Sequence, residues 1–149
     1  MVINNKKALK DYNIEKTFES GIVLQGCEVK SLRLGKADLS GSFAKIEQDG
    51  IYIYKMHISS YEYNNDTYDP LRKRKLLFKK IEIRNINNKV SQQGFTIVPL
   101  KIYFNKRGYA KIEIALAKGK KLYDKRMDLK KQQVKREIKK AYNLYKNKR

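Results

Sequence analysis

At 149 residues the chain is the size of a single domain with a modest core, and two independent cores are excluded. Its formal net charge of +20, with a pI near 10.0, opposes compactness unless a polyanion compensates; nucleic acid is the first such partner and an acidic membrane surface the second. No apolar run approaches the roughly 20 residues a spanning helix needs, and the one cysteine, Cys27, rules out an intrachain disulfide and a cysteine-based zinc site.

In chain order, the opening MVINNKKALKDYN holds no apolar signal-peptide core, which with the single cysteine predicts a reducing, cytoplasmic setting away from membranes. Tyr12 to Phe18 reads as a short strand, and Gly21 to Leu24 as its hairpin partner or the next strand. In GCEVKSLRLGK the period changes: Val29, Leu32 and Leu34 predict a short helix, with Gly35 as its C-terminal glycine. SFAKIEQDGIYIYKMHI predicts a hairpin turning at Asp49-Gly50, where a primed turn wants positive φ.

SSYEYNNDTYDPLRKRK reads as a loop around Asn64-Asn65-Asp66 and Asp69-Pro70. Beyond it Leu76, Leu77, Ile81, Ile83 and Ile86 predict an amphipathic helix from about Arg72 to Gln92, ended by Gly94. Two strands follow, FTIVPLKIYFN and YAKIEIALAK, joined through Lys106-Arg107-Gly108. Pro99 marks an edge or a bulge. Short strands with few helices describe an α+β, mainly β fold: a small antiparallel barrel.

Charge then concentrates. Residues 118–149 carry 14 Lys/Arg against 3 Asp/Glu, a net of +11, whereas the preceding 117 carry 21 against 12, a net of +9. Met127, Val134, Ile138, Ala141, Tyr142 and Tyr145 would share one helical face, while Lys130, Lys131, Lys135, Arg136, Lys139 and Lys140 repel one another. That balance predicts a tail disordered when free and helical once a polyanion neutralises it.

Enzymatic readings fare poorly. His57 is the only histidine, which removes any two-histidine metal site, and it reads as a structural side chain between Met56 and Ile58. Cys27 reads as a small buried cysteine rather than a nucleophile. LAKGKKLYDKR, Leu116 to Arg126, suggests a phosphate loop, but Gly119 has no partner glycine at P-loop spacing and no hydroxyl residue follows Lys121. With 11 tyrosines and no tryptophan, several tyrosines beside cations (Tyr12, Tyr109, Tyr123) favour RNA over duplex DNA. No helix-turn-helix, zinc-finger or basic-zipper pattern is present.

The runs NKKALKDYNIEKTFESGIVLQGCEVKSLRLGKADL, YDPLRKRKLL, VPLKIYF and LAKGKKLYDKR closely resemble the SsrA-binding protein (small protein B) family, bacterial partners of transfer-messenger RNA. The likeness runs in order from about Asn5 through the tail. It implies an OB-like antiparallel β-barrel over residues 1–118, with about three peripheral helices, and a basic C-terminal tail over 119–149. It further implies an RNA-binding adaptor of trans-translation, a monomer without cofactor, metal or catalysis. The partners it implies are the tRNA-like domain of tmRNA (SsrA RNA) and the stalled ribosome, at the 16S rRNA decoding centre and the mRNA channel. The alternative is a generic RNA-binding or ribosomal structural protein of the same fold.

Carried over by motif, the resemblance puts Asn5, Lys6, Glu19, Leu77 and Lys111 on the tmRNA-binding face. Lys118, Gly119, Lys120, Lys121, Tyr123, Asp124, Lys125 and Arg126 match the decoding-centre segment, with Gly119 letting the chain leave the strand and turn. Tyr123 stands where some relatives carry histidine, which keeps a stacking plane and removes a titratable charge. Lys130, Lys131, Lys135, Arg136, Lys139 and Lys140 fall in the part that enters the mRNA channel.

Overall fold

The computed structural model describes residues 2–61 and 68–146, without the side chains of Gln92, Gln93, Leu122, Tyr123 and Tyr145. The chain divides into two compact units, Met1–Gly119 and Lys120–Arg149. The first holds β1 (Val2–Asn4), α1 (Lys6–Asp11), β2 (Tyr12–Ile22), α2 (Gly26–Arg33), β3 (Ala37–Asp38), β4 (Phe43–Glu47) and β5 (Gly50–Tyr54). It continues with β6 (His57–Ile58), β7 (Arg74–Leu77), α3 (Lys80–Gln93), β8 (Thr96–Phe104) and β9 (Ala110–Gly119). The second unit is one helix, α4 (Leu122–Lys146).

Six strands close a ring in the order β8-β4-β5-β7-β2-β9, each pair antiparallel, as β9 returns to β8. One edge of β8 takes β9 along its length; the other takes β4 at Ile97 and β1 at Lys101–Tyr103. A bulge between Pro99 and Lys101 falls where proline offers no N–H to the ladder. Ring closure leaves few exposed strand edges.

The alternation of apolar side chains fills the ring from inside, with Ile51, Ile53, Leu76, Ile97, Ile112, Ile114 and Leu116 all buried, and Leu32 of α2 and Ile86 of α3 packed against them. Outside the ring, Ala115 and Ala117 are small enough for α1 to lie close, so Ala8 packs with Val98 and Leu100. Asn5 fixes that helix: its Oδ1 accepts from the Ala8 N–H at 3.0 Å, and its Nδ2 donates to the Leu39 and Pro99 carbonyls, each at 2.9 Å.

Several expectations change. Gly21 and Ile22 are not a return strand but the end of an eleven-residue β2, because β7 and β9 supply its partners. The helix expected from Arg72 begins at Lys80; Arg74–Leu77 is a strand between β5 and β2. Its apolar Leu76 satisfies a strand period as well as a helical one, and the Glu82 carboxylate accepting from the Lys79 N–H at 2.8 Å sets the true helix start. The β4–β5 hairpin forms, but Gln48 and Asp49 make the turn and Glu47 pairs with Gly50, so no primed turn sits on Asp49-Gly50. Cys27 is half-buried rather than buried. The helix at Gly26–Arg33 and the left-handed Gly35 (φ 74) and Gly94 (φ 64) stand where the spacing puts them. Asp69 opens a turn, its Oδ1 accepting from the Leu71 N–H at 2.9 Å, whereas Asn64, Asn65 and Asp66 lie outside the described residues.

Candidate nucleic-acid interface

The long antiparallel registers of β8, β9 and β2 determine which outward side chains meet. Tyr103 pairs with Lys111, Lys111 with Gly21, and Gly21 with Leu77, so four neighbouring strands place these residues in one cross-strand row. The adjacent row runs Lys101, Glu113, Glu19. Sequence positions as distant as 19, 77 and 111 thus share one face. Leu77 is 59% exposed, a large apolar side chain left to solvent on a strand.

Glycine at 21 leaves room for that side chain: a Cβ there would lie 3.0 Å from Leu77 Cδ1, so Leu77 would have to give way. Between the strands and the β8–β9 loop lies an open hollow of about 360 Å³ lined by Gly21, Leu77, Asn105, Arg107, Tyr109 and Lys111. Asn105 shapes the loop, its Oδ1 accepting from the Arg107 N–H at 3.0 Å and the Tyr109 N–H at 2.9 Å, with Gly108 left-handed at φ 80. Tyr109, 66% exposed, offers a plane beside two cations.

Glu19 does not face phosphates alone. It accepts a hydrogen bond from the Tyr103 hydroxyl and lies 3.8 Å from Lys111 Nζ. The Glu19 carboxylate, with some desolvation, pushes the Tyr103 hydroxyl up to about 12, so Tyr103 stays a donor throughout the physiological range. Lys101 Nζ meets Glu113 at 2.9 Å. The face therefore mixes lysines and carboxylates, Glu113 and Glu19 standing opposite one another between Lys101 and Lys111, with a hydroxyl and an apolar side chain. Such a surface can read sugar hydroxyls and base edges besides attracting phosphate. The sequence does not single out Tyr103 or Lys101, which only the strand register reveals; Arg107, legible as a cation beside Tyr109, is brought to Leu77 and Lys111 by the loop.

Other expected residues are placed differently. Asn5 is buried and fully engaged within the fold, so it acts by seating α1, from which Lys6 projects into solvent. Lys118 is exposed at the end of β9, its Nζ 4.6 Å from the Phe95 ring centroid. Gly119 completes β9 opposite Tyr12 with no positive φ, and a Cβ would meet nothing within 4 Å, so the chain leaves the strand only at Lys120. In the second unit Lys120 Nζ pairs with Asp128 at 2.6 Å, and Lys121 and Asp124 flank the start of α4. The Lys125 N–H bonds the Lys121 carbonyl at 3.1 Å, and Arg126 is exposed. The Tyr123 side chain lies outside the described residues. Lys130, Lys131, Lys135, Arg136, Lys139 and Lys140 are all exposed on α4. Among the described residues, no His/Cys/Asp/Glu group could hold a metal ion, and no helix is long and apolar enough to cross a membrane.

Comparison with known proteins gives this geometry a lineage. A family model described as "SmpB protein" matches residues 2–144. The chain belongs to the SmpB family. The SsrA-binding protein of Geobacillus thermodenitrificans (strain NG80-2) is 50% identical over 143 residues, covering 95% of this chain and 92% of that protein. The SsrA-binding protein of Geobacter metallireducens is 51% identical over 142 residues, with the same coverage. A solved chain described as "tmRNA-SmpB: a journey to the center of the bacterial ribosome" is 52% identical, with a TM-score of 0.69 over 81% of this chain and 85% of that one. As an SmpB protein the chain has the antiparallel fold that its registers show.

Proposed function

We propose that this protein is the RNA-binding adaptor of trans-translation: it binds the tRNA-like domain of transfer-messenger RNA and carries it to stalled ribosomes. The carrying observation is the cross-strand row Tyr103, Lys111, Gly21 and Leu77 beside Glu19. It is a preformed face of apolar, hydroxyl and cationic groups, on a chain whose relatives bear the name SsrA-binding protein. On this reading Tyr109 offers a plane and Leu77 an apolar contact to bases, Lys111 and Arg107 meet phosphates, and Glu19, steadied by Tyr103, accepts from ribose hydroxyls or base amines. Lys6 adds a phosphate contact from α1, held in place by Asn5.

The finer assignment divides the work between the units. The ring stands in for the missing anticodon arm, while Lys118 to Arg126 lie in the decoding centre against ribosomal RNA. The α4 helix is the form we assign to the tail in the empty mRNA channel, where its exposed lysines and Arg136 replace phosphate counterions. The protein positions RNA and catalyses nothing. Titration with the tRNA-like domain, against an ordinary tRNA of equal length at near-physiological salt, tests the reading. Preference of about a hundredfold, or 2.7 kcal/mol, is the expected result; equal affinities with equal salt slopes would leave a generic, charge-driven RNA binder.

A further inference from the structure

Lys73 and Lys75 stand on the same side of β7 as Leu77, because side chains alternate along a strand. The outward surface therefore continues past the proposed RNA face onto β5 and β4. There the register sets Lys75 opposite Tyr52, Tyr52 opposite Lys45, and Phe43 opposite Tyr54. The Phe43 and Tyr54 rings stack with centroids 5.6 Å apart and planes within 9° of parallel. Lysine ammoniums lie near these rings: Lys73 at 4.7 Å and Lys75 at 5.7 Å from Tyr52, Lys45 at 5.5 Å and Lys55 at 6.0 Å from Phe43.

Two features make this more than sheet packing. Lys55 is the one non-glycine among the described residues with positive φ, at 55°, an uncommon conformation for a lysine, and its Nζ lies beside the aromatic pair. Glu47 accepts from Lys73 at 2.8 Å and Asp49 from Lys75 at 2.9 Å, so four cations face two anions and the patch keeps a net +2. These are surface ion pairs, readily exchanged for phosphate. Parallel rings flanked by cations suit a strand whose bases are already unstacked. A duplex would present only base edges, and an acidic peptide would leave the planes unused.

We propose that the outer face of β4, β5 and β7 is a second nucleic-acid site that takes single-stranded RNA, stacking bases on the three rings and holding phosphates with the four lysines. It needs no tRNA-like shape and so goes beyond the function proposed above.

The test uses the intact chain with fluorescein-labelled oligouridylate in anisotropy titrations, and the same oligomer carrying 5-iodouridine for photo-crosslinking. Crosslinks on the unaltered protein should map to Phe43, Tyr52 or Tyr54. The double variant Tyr52→Leu, Tyr54→Leu should weaken oligouridylate about tenfold or more, while the tRNA-like domain of tmRNA binds within about twofold of before. Lys111→Ala should do the reverse. Crosslinks confined to other residues, or oligouridylate binding that the double variant leaves unchanged, would overturn the proposal even if tmRNA binds as expected. Crosslinks at these rings without preference for the tRNA-like domain would leave this site standing and remove the adaptor reading. Because crosslinking needs no substitution, the test survives a variant that does not fold.

Discussion

Glu28 shows how a basic run can mislead. Arg72-Lys73-Arg74-Lys75 reads as four surface cations, yet alternation along the segment sends Arg72 and Arg74 inward to one carboxylate and Lys73 and Lys75 outward. Arg74 Nε donates to Glu28 Oε1 at 2.8 Å, its guanidinium also reaches the Met56 and Pro70 carbonyls, and both Arg74 and Glu28 are fully buried. The apolar pair Leu76-Leu77 does not reveal that a glutamate 46 positions before Arg74 waits inside. Burial pushes the Glu28 carboxyl up, but the Arg72 hydrogen bond, the Gln25 N–H and the Arg74 charge outweigh it and leave it below its usual 4.5. A lowered folded-state value means stability present in full above about pH 4.5 and lost as pH falls through the folded value. Glu28→Gln strands two guanidiniums and should cost about 3–5 kcal/mol at neutral pH. Urea unfolding should show that gap between the two proteins narrowing in acid, where the native carboxylate is protonated too; a gap independent of pH would refute the ionic account.

Elements were legible where their stop signals are local and illegible where pairing decides. Gly94 ends α3 at φ 64, as its place after the apolar stripe indicated, because only glycine takes that geometry cheaply. The apolar pattern starts α3 eight residues early, since a ring strand and a helix both accept Leu76 and Leu77, and only hydrogen bonds to β2 and β5 separate them. The six residues of α1 carry too little period to declare a helix. Comparing two glycines turns this into a measurement. Gly94→Ala forces a left-handed alanine and should destabilise by about 1–2 kcal/mol. Gly119→Ala, in ordinary strand geometry with nothing within 4 Å of the new Cβ, should be neutral or stabilising by up to about 1 kcal/mol. Denaturant midpoints for the pair check both signs. If Gly119→Ala keeps its midpoint but loses ribosome rescue, the glycine serves a partner's close approach rather than the fold.

For the whole molecule, the division of charge is the feature the sequence shows most openly and the one that separates affinity from function. The ring unit carries its own candidate face, whereas α4 bears cations around an exposed stripe of Met127, Val134, Ile138 and Tyr142. Like charges at helical spacing oppose an isolated helix, and a polyanion removes that opposition. Truncation before Met127 should therefore leave binding of the tRNA-like domain nearly intact while abolishing tagging of nascent chains on stalled ribosomes. The difference in circular dichroism between full-length and truncated chains should gain helical signal when inorganic polyphosphate, a polyanion without bases, is added. Against ribosomes the salt dependence should fall too: if about five tail cations replace counterions, the slope of log K against log salt flattens by about four. A truncation that weakens every RNA equally, ordinary tRNA included, would mean the tail supplies the affinity by charge alone. The cross-strand row of Tyr103, Lys111, Gly21 and Leu77 would then be a surface of the fold and not the reader of the RNA.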